Sequence, residues 1–375
     1  MNLSEKMTPL QAASLLALLI ATQNYIFAPA LMARFAHEDM WISSLLAAAA
    51  AFLFCLYAVW LAGQFPNRTL IQFLSVLLGR WVGKAIGALY LVYFICLTVI
   101  YVQTLATSFK VLFLPMTPLI VFIVLIILFC MYGAAQGISV LGQMSTLLIL
   151  ALLVTLLLLF VGTLPSVEIT NYMPIGQNRW SNIFYASLFN LTSFTQSIVI
   201  TMLFAFVRAD KMKYAKKYVI WGSALTFGVT SLIVIEEVGV FSPNQLELLT
   251  FPTVELITLF NFGTFFERVE TIFVSVWGAA MFLVIGMLFT SSLTAIRHLL
   301  GRSEGSASKW LVLLYGVVIF LISLFYLPNT QKLSYFMLHQ WTYLSLLFQV
   351  GIPLLLGMAC LIARGRMSHA DNADA

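Results

Sequence analysis

Charge is what this chain of 375 residues has least of. Asp, Glu, Lys and Arg together make up 9% of it, against about 25% in an average soluble domain. So few charges cannot cover a surface that faces water, which excludes a soluble enzyme, a nucleic-acid binder and a disordered scaffold. Cysteine is scarce too. Cys55, Cys96, Cys130 and Cys360 all lie inside apolar runs without metal-ligand or redox spacing, and read as buried free thiols. The four histidines, His37, His298, His339 and His369, are scattered. No HExxH, Ser–His–Asp set, Walker loop or G-x-G-x-x-G occurs, so neither catalysis nor a cofactor or metal ion is expected.

What the chain has is apolar length. Hydrophobic residues make up 62% of it, and the mean hydropathy is +1.00. A bilayer-spanning helix needs about 20 mostly apolar residues, and spans of this kind are helical because lipid satisfies no open strand edge. Runs bounded by Pro, Gly or charge predict ten spans, near 10–32, 41–63, 85–109, 118–136, 144–164, 182–207, 217–241, 269–297, 309–328 and 341–363. The first run has no A-x-A-like site and reads as a retained span. Together they predict an all-α integral membrane protein with one transmembrane domain over 1–366 and a disordered polar tail over 367–375.

With the N-terminus inside, fourteen of the nineteen Lys and Arg residues fall on inner segments. That asymmetry predicts cytoplasmic N- and C-termini. The densest basic patch, Arg208 to Lys217, reads first as an anchor at an anionic leaflet. The longest outer segment, 242–268, contains Phe251-Pro252 and Asn261-Phe262-Gly263 and is expected to hold a short helix on the membrane surface.

Ten spans divide into five and five, and halves with an odd number of spans must insert in opposite directions. The implied architecture is an inverted repeat, about 10–164 and 182–363, whose first helix in each half is broken at mid-membrane. Spans 1 and 6 carry the most polar centres in the chain: Ala21-Thr22-Gln23-Asn24-Tyr25 and Thr192-Ser193-Phe194-Thr195-Gln196-Ser197. One such cluster is ordinarily interhelical glue. Two at equivalent positions point to a ligand pocket at broken helices, where free N–H groups suit a carboxylate and free carbonyls an ammonium. The candidate ligand-binding residues are Thr22, Gln23, Asn24, Tyr25, Thr195, Gln196, Ser197 and, in span 8, Gly286. No charged residue sits at the centre of spans 1, 5, 6 or 8, which counts against a strongly ion-coupled pump. The one acidic pair within a span, Glu236-Glu237, lies near its outer end. A solvated vestibule is expected there, with a proton relay as the alternative.

Several motifs in order resemble the B-subunit family of spore germinant receptors, a branch of the amino acid–polyamine–organocation (APC) transporter superfamily. They are Met7-Thr8-Pro9-Leu10-Gln11 before span 1, Pro29 closing it, and Asp39-x-Trp41 opening span 2. Pro66-Asn67-Arg68-Thr69-Leu70 and Leu78-Gly79-Arg80-Trp81-Val82-Gly83 follow, then Thr117-Pro118 and Asn171-x-x-Pro174. The most specific stretch is Phe251-Pro252-Thr253 with Glu267-Arg268-Val269-Glu270 and Trp277. The resemblance runs through about four-fifths of the chain.

It implies a LeuT/APC-like fold of ten helices in the inner membrane of a spore, with partner subunits of the A type and the C type. It also implies an amino acid or similar germinant bound at the broken centres of spans 1 and 6. The chain departs from relatives in having Thr22 and Asn24 where small glycine-type residues are frequent, and Ile198 and Ile200 where some carry Gly-x-Glu. With Leu283, Gly286 and Met287 on span 8, these departures suggest a pocket for an apolar side chain. A secondary transporter of amino acids or polyamines is the alternative reading.

Overall fold

The computed structural model describes residues 6–23, 28–249, 251–259, 269–301, 308–327 and 330–373. Asn24, Tyr25, Asn261-Phe262-Gly263, Glu267 and Arg268 lie outside the described residues.

The first helix shows how local sequence sets the fold. Thr8 and Gln11 form reciprocal cap bonds at 2.8 and 3.3 Å, and Pro9 takes the first helical position, where its missing N–H costs nothing. Helix α1 (Pro9–Gln23) is buried on all sides from Ala12 onward, as its uniformly apolar composition requires. Met7 N donates to the Phe206 carbonyl at 2.8 Å, which pins the start of α1 to a segment two hundred residues away. Helix α2 (Ala28–Ala36) follows and leads through a 3-10 turn, His37–Asp39, into α3 (Met40–Ala62).

A short helix, α4 (Leu70–Leu78), precedes the long α5 (Arg80–Leu112). Helices α6 (Leu119–Gln136) and α7 (Ile138–Thr163) follow. Next are α8 (Trp180–Phe194), a 3-10 segment (Thr195–Val199) and one turn of α-helix, α9 (Ile200–Leu203). Next come α10 (Met212–Leu246), the short α11 (Pro252–Thr258), α12 (Val269–Leu299) and α13 (Lys309–Phe325). The last helix is built from α14 (Thr330–Phe336), α15 (Thr342–Leu346) and α16 (Ile352–Ala373), joined by wide π turns at Met337–Trp341 and Leu347–Gly351.

Among the described residues, eight helical segments are long and apolar enough to cross a membrane, and Pro9–Gln23 and Lys309–Phe325 are shorter apolar helices. The protein is an all-helical, multi-pass membrane protein. Polarity sorts inward. The segment Trp180–Phe206 is the least apolar of the eight and the most deeply buried, while Ile138–Ser166 is the most apolar and the least buried. Leu125 and Phe129 on α6, Leu147 and Leu150 on α7, and Leu355 and Leu361 on α16 face outward, as lipid-facing side chains do.

Two expectations are corrected. The helix in the outer loop does not lie on the surface: α11 buries Pro252, Thr253, Leu256 and Ile257 between α10, α7 and α12. The last helix begins at Thr330 rather than near 341, because Lys332, His339 and Gln340 mask its apolar face in a hydropathy window.

Candidate functional site

The described residues of the two polar span centres are buried and lie together. Thr22 is completely buried and Gln23 nearly so at the end of α1; Thr195, Gln196 and Ser197 are completely buried in the 3-10 segment, against which α1 packs. The switch from α to 3-10 follows from the sequence. Thr192, Thr195 and Thr201 turn their hydroxyls back onto the carbonyls of Phe189, Leu191 and Ile198 at 2.8, 2.8 and 2.6 Å. Such bonds compete with the α ladder, and a 3-10 stretch within a helix often marks a hinge.

Neighbouring helices hold both segments through bonds that the sequence did not announce. Tyr101 of α5 is fully buried, and its hydroxyl sits 2.7 Å from Gln196 Oε1 and 2.9 Å from the Leu19 carbonyl. One phenol therefore bridges α1 and the 3-10 segment. Trp277 Nε1 of α12 donates to the Thr22 carbonyl at 3.0 Å. Thr195 Oγ1 donates to Gln349 Oε1 in the second π turn. Gln349 Nε2 in turn donates to the Tyr93 hydroxyl at 2.9 Å, and the Tyr93 ring stacks on Trp341. A π turn carries one extra residue, which is how the last helix presents Gln349 inward. Aromatic and amide residues scattered in apolar spans carry no periodic signal, so only the adjacency of Trp277 to a family motif could have flagged any of these four.

Some polar valences remain open. Among the described residues, Gln23 Oε1, Gln196 Nε2 and Asn190 Oδ1 are buried and have no hydrogen-bond partner. An unmade buried hydrogen bond costs about 1–3 kcal/mol; among the described residues eleven buried side-chain atoms are of this kind, and one lies at the end of α1 and one on the 3-10 segment packed against it. The set offers an acceptor on α1 and a donor on the 3-10 segment. Beside Gln23 is a cavity of about 20 Å³ lined by Gln23, Ala28, Leu31, Phe189, Thr192, Ser193, Met337 and Thr342, enough for about one water molecule. Gly286 of α12 faces α7: a Cβ added there would meet Leu141 at 3.4 Å. Ser197 has one weak bond, to the Thr195 carbonyl at 3.5 Å.

The acidic pair is buried, not solvated. Glu236 and Glu237 are 2% and 0% exposed. Glu236 Oε1 accepts from Thr163 at 2.7 Å and Glu237 Oε1 from Thr253, which ties α10 to α7 and α11. The connection between α7 and α8 folds over the pair. Asn171 Nδ2 donates to the Gly239 carbonyl at 2.7 Å and the Tyr172 hydroxyl to the Ile235 carbonyl at 2.9 Å. Burial, and then the nearby Glu236, hold that tyrosine above its ordinary pKa. At the same end Asp39 is completely buried and accepts from the N–H groups of Gly176 and Asn178 at 2.8 and 3.2 Å.

This arrangement has relatives of known structure. The transporter MhsT in complex with L-phenylalanine superimposes with a TM-score of 0.66 at 12% identity, covering 90% of this chain and 88% of that one. Mhp1, a nucleobase-cation-symport-1 family transporter in a closed conformation, gives 0.63 at 14%, covering 90% and 77%. The shared property is the transporter fold. Among sequences, spore germination protein YndE of Bacillus subtilis (strain 168) is 23% identical over 319 residues, 85% of this chain and 86% of that one. Spore germination protein A2 of the same organism is 25% identical over 343 residues (89% and 92%). GerQB of Bacillus cereus is 26% identical over 318 residues (83% of each). The spore germination protein family matches residues 6–332, and with the fold and the ordered motifs in agreement the chain belongs to it.

Proposed function

We propose that the chain is the B subunit of a nutrient germinant receptor. It binds an amino acid or a similar small germinant between Thr22–Tyr25 and Thr195–Ser197, at the mid-membrane breaks of an inverted repeat of five plus five helices. The observation that carries this reading is the juxtaposition of two buried polar segments with open hydrogen-bond valences, Gln23 Oε1 and Gln196 Nε2. An ammonium matches the first and a carboxylate the second. Gly286, with Leu283 and Met287, stands for the apolar wall.

The small cavity beside these groups gives the mechanism. About 20 Å³ admits a water molecule but no amino acid, so a ligand must separate α1 and α2 from α8 and the last helix to enter. Binding selects the more open arrangement. It shifts the equilibrium only by the ligand's difference in affinity between the two states. Partner subunits of the A type and the C type in the spore inner membrane read that shift, with both termini of this chain on the core side.

The transporter structures favour a second reading, secondary transport of amino acids or polyamines through the same site. A clean deletion separates the two. Under the receptor reading, spores lacking the gene fail to release dipicolinate in response to particular amino acids and still respond to exogenous dipicolinate or to high pressure. Normal spores, with amino acid uptake lost from growing cells, would establish the transporter instead.

A further inference from the structure

A second, larger cavity opens at the end of the bundle opposite the basic patch. It measures about 450 Å³ and lies between α2, the end of α10 and the start of the last helix. Its polar wall holds Arg34, Glu247, Gln331, Ser334 and His339. Arg34 is exposed, and its Nη2 reaches only the main-chain carbonyl of Glu247, at 3.4 Å. Among the described residues no ion pair joins the Arg34 and Glu247 side chains. A guanidinium and a carboxylate thus line one cavity of ligand size without neutralising each other. The guanidinium offers several N–H donors in a fixed fork that suits a carboxylate.

The two cavities share one side chain. Leu31 of α2 lines the outer cavity and also the 20 Å³ cavity next to Gln23. On the facing helix, Met337 lines the inner cavity and Leu338 the outer one, consecutive residues at the start of the first π turn. The partition is therefore about one side chain thick, and its far wall belongs to a wide helical turn of a kind common at functional sites. In this conformation the outer cavity is large enough for a small zwitterion and the inner one is not.

We infer that the outer cavity is a separate recognition site for a zwitterionic amino acid, with Arg34 taking the carboxylate and Glu247 the ammonium, and that Leu31 and Met337 divide it from the inner site. The inference rests on the receptor reading only for the ligand's onward path; occupancy of the outer cavity is independent of the inner residues. It makes this site the first filter on nutrient chemistry, before any opening of the inner pocket. Compounds carrying only one of the two charges bind it poorly.

The test uses the purified full chain in nanodiscs with Ser334→Cys, read against the native chain, whose four cysteines are buried or half-buried. Labelling rates are measured with an anionic and a cationic methanethiosulfonate. Replacing Arg34 by Gln lowers the ratio of anionic to cationic rate about three- to tenfold, as expected for removing one nearby charge in partly screened solvent; Glu247→Gln raises it. The twenty common L-amino acids are then offered singly as protectants. At least one slows labelling, its methyl ester and its N-acetyl derivative do not, and the protection survives Ser197→Leu but not Arg34→Gln. A rate ratio indifferent to Arg34→Gln, no protection by any of the twenty, or protection abolished by Ser197→Leu would each overturn the outer site. Germination curves that ignore Thr22→Leu and Ser197→Leu would instead remove the inner site and leave this one standing.

Discussion

Replacing Ser197 by Ala separates a ligand contact from a structural one. The hydroxyl is completely buried, yet among the described residues its one bond is a 3.5 Å approach to the Thr195 carbonyl, at the outer limit of a useful hydrogen bond. Removing it should leave the ligand-free fold almost untouched, within about 0.5 kcal/mol, the usual range for a change that breaks no significant contact. If the hydroxyl instead serves the germinant, its loss forfeits a hydrogen bond with a net worth of about 0.5–1.5 kcal/mol. Since 1.4 kcal/mol is tenfold in an equilibrium constant, the concentration giving half-maximal dipicolinate release should rise about two- to thirteenfold. Ser197→Leu should raise it further, because the larger side chain also occupies room that the ligand needs. The assay is a germinant dose response on spores whose receptor level is matched by immunoblot, with a thermal melt of the purified protein alongside. Dose responses unchanged in both variants at equal protein level would refute the reasoning.

Other consequences follow from the same structure. Tyr101→Phe strips the hydroxyl that holds α1 to the 3-10 segment and should cost about 1–2 kcal/mol in a melt; because the bond belongs to the closed arrangement, the variant should need less germinant, and an unchanged dose would count against the closed-to-open mechanism. Asp39→Ala leaves the N–H groups of Gly176 and Asn178 without their acceptor and should destabilise by about 2–5 kcal/mol, read as loss of protein from spore membranes; Asp39→Asn keeps one acceptor and should lose less. Thr253→Val removes the hydroxyl that serves Glu237 and should loosen α11 by about 1–3 kcal/mol, read as faster proteolysis between α10 and α12. Gly239→Ala drives a methyl group into the Tyr172 hydroxyl and Val167 and should lift the 167–172 segment off the acidic pair, seen as faster hydrogen exchange there.

Ten spans were expected; the eight that are long and apolar enough to cross a membrane were legible because hydropathy is a local property, summed over a window. The polar centres at Thr22–Gln23 and Thr195–Ser197 were legible for the related reason that polar residues at mid-bilayer are costly and stand out against Leu and Ile. What holds those centres was not. Tyr93, Tyr101 and Trp277 sit in apolar runs as any core aromatic would, and their hydroxyl or indole partners lie 82, 95, 255 or 256 residues away in the chain. Gln349 faces inward only because a π turn shifts the helical register, which no 3.6-residue period anticipates. The acidic pair was misplaced for a similar reason. Depth along α10 put Glu236 and Glu237 near water, but the fold of 167–172 and the docking of α11 cover them, and both are tertiary facts.

In the proposed function a small germinant binds where α1 meets the 3-10 segment. The most direct measurement is calorimetric binding to the purified chain in nanodiscs, using whichever amino acid the deletion spores no longer sense. The native protein should bind it saturably, and Thr22→Leu and Ser197→Leu should each weaken that binding at least fivefold without lowering the melting temperature by more than a few degrees. Equal affinity in all three proteins would contradict the account.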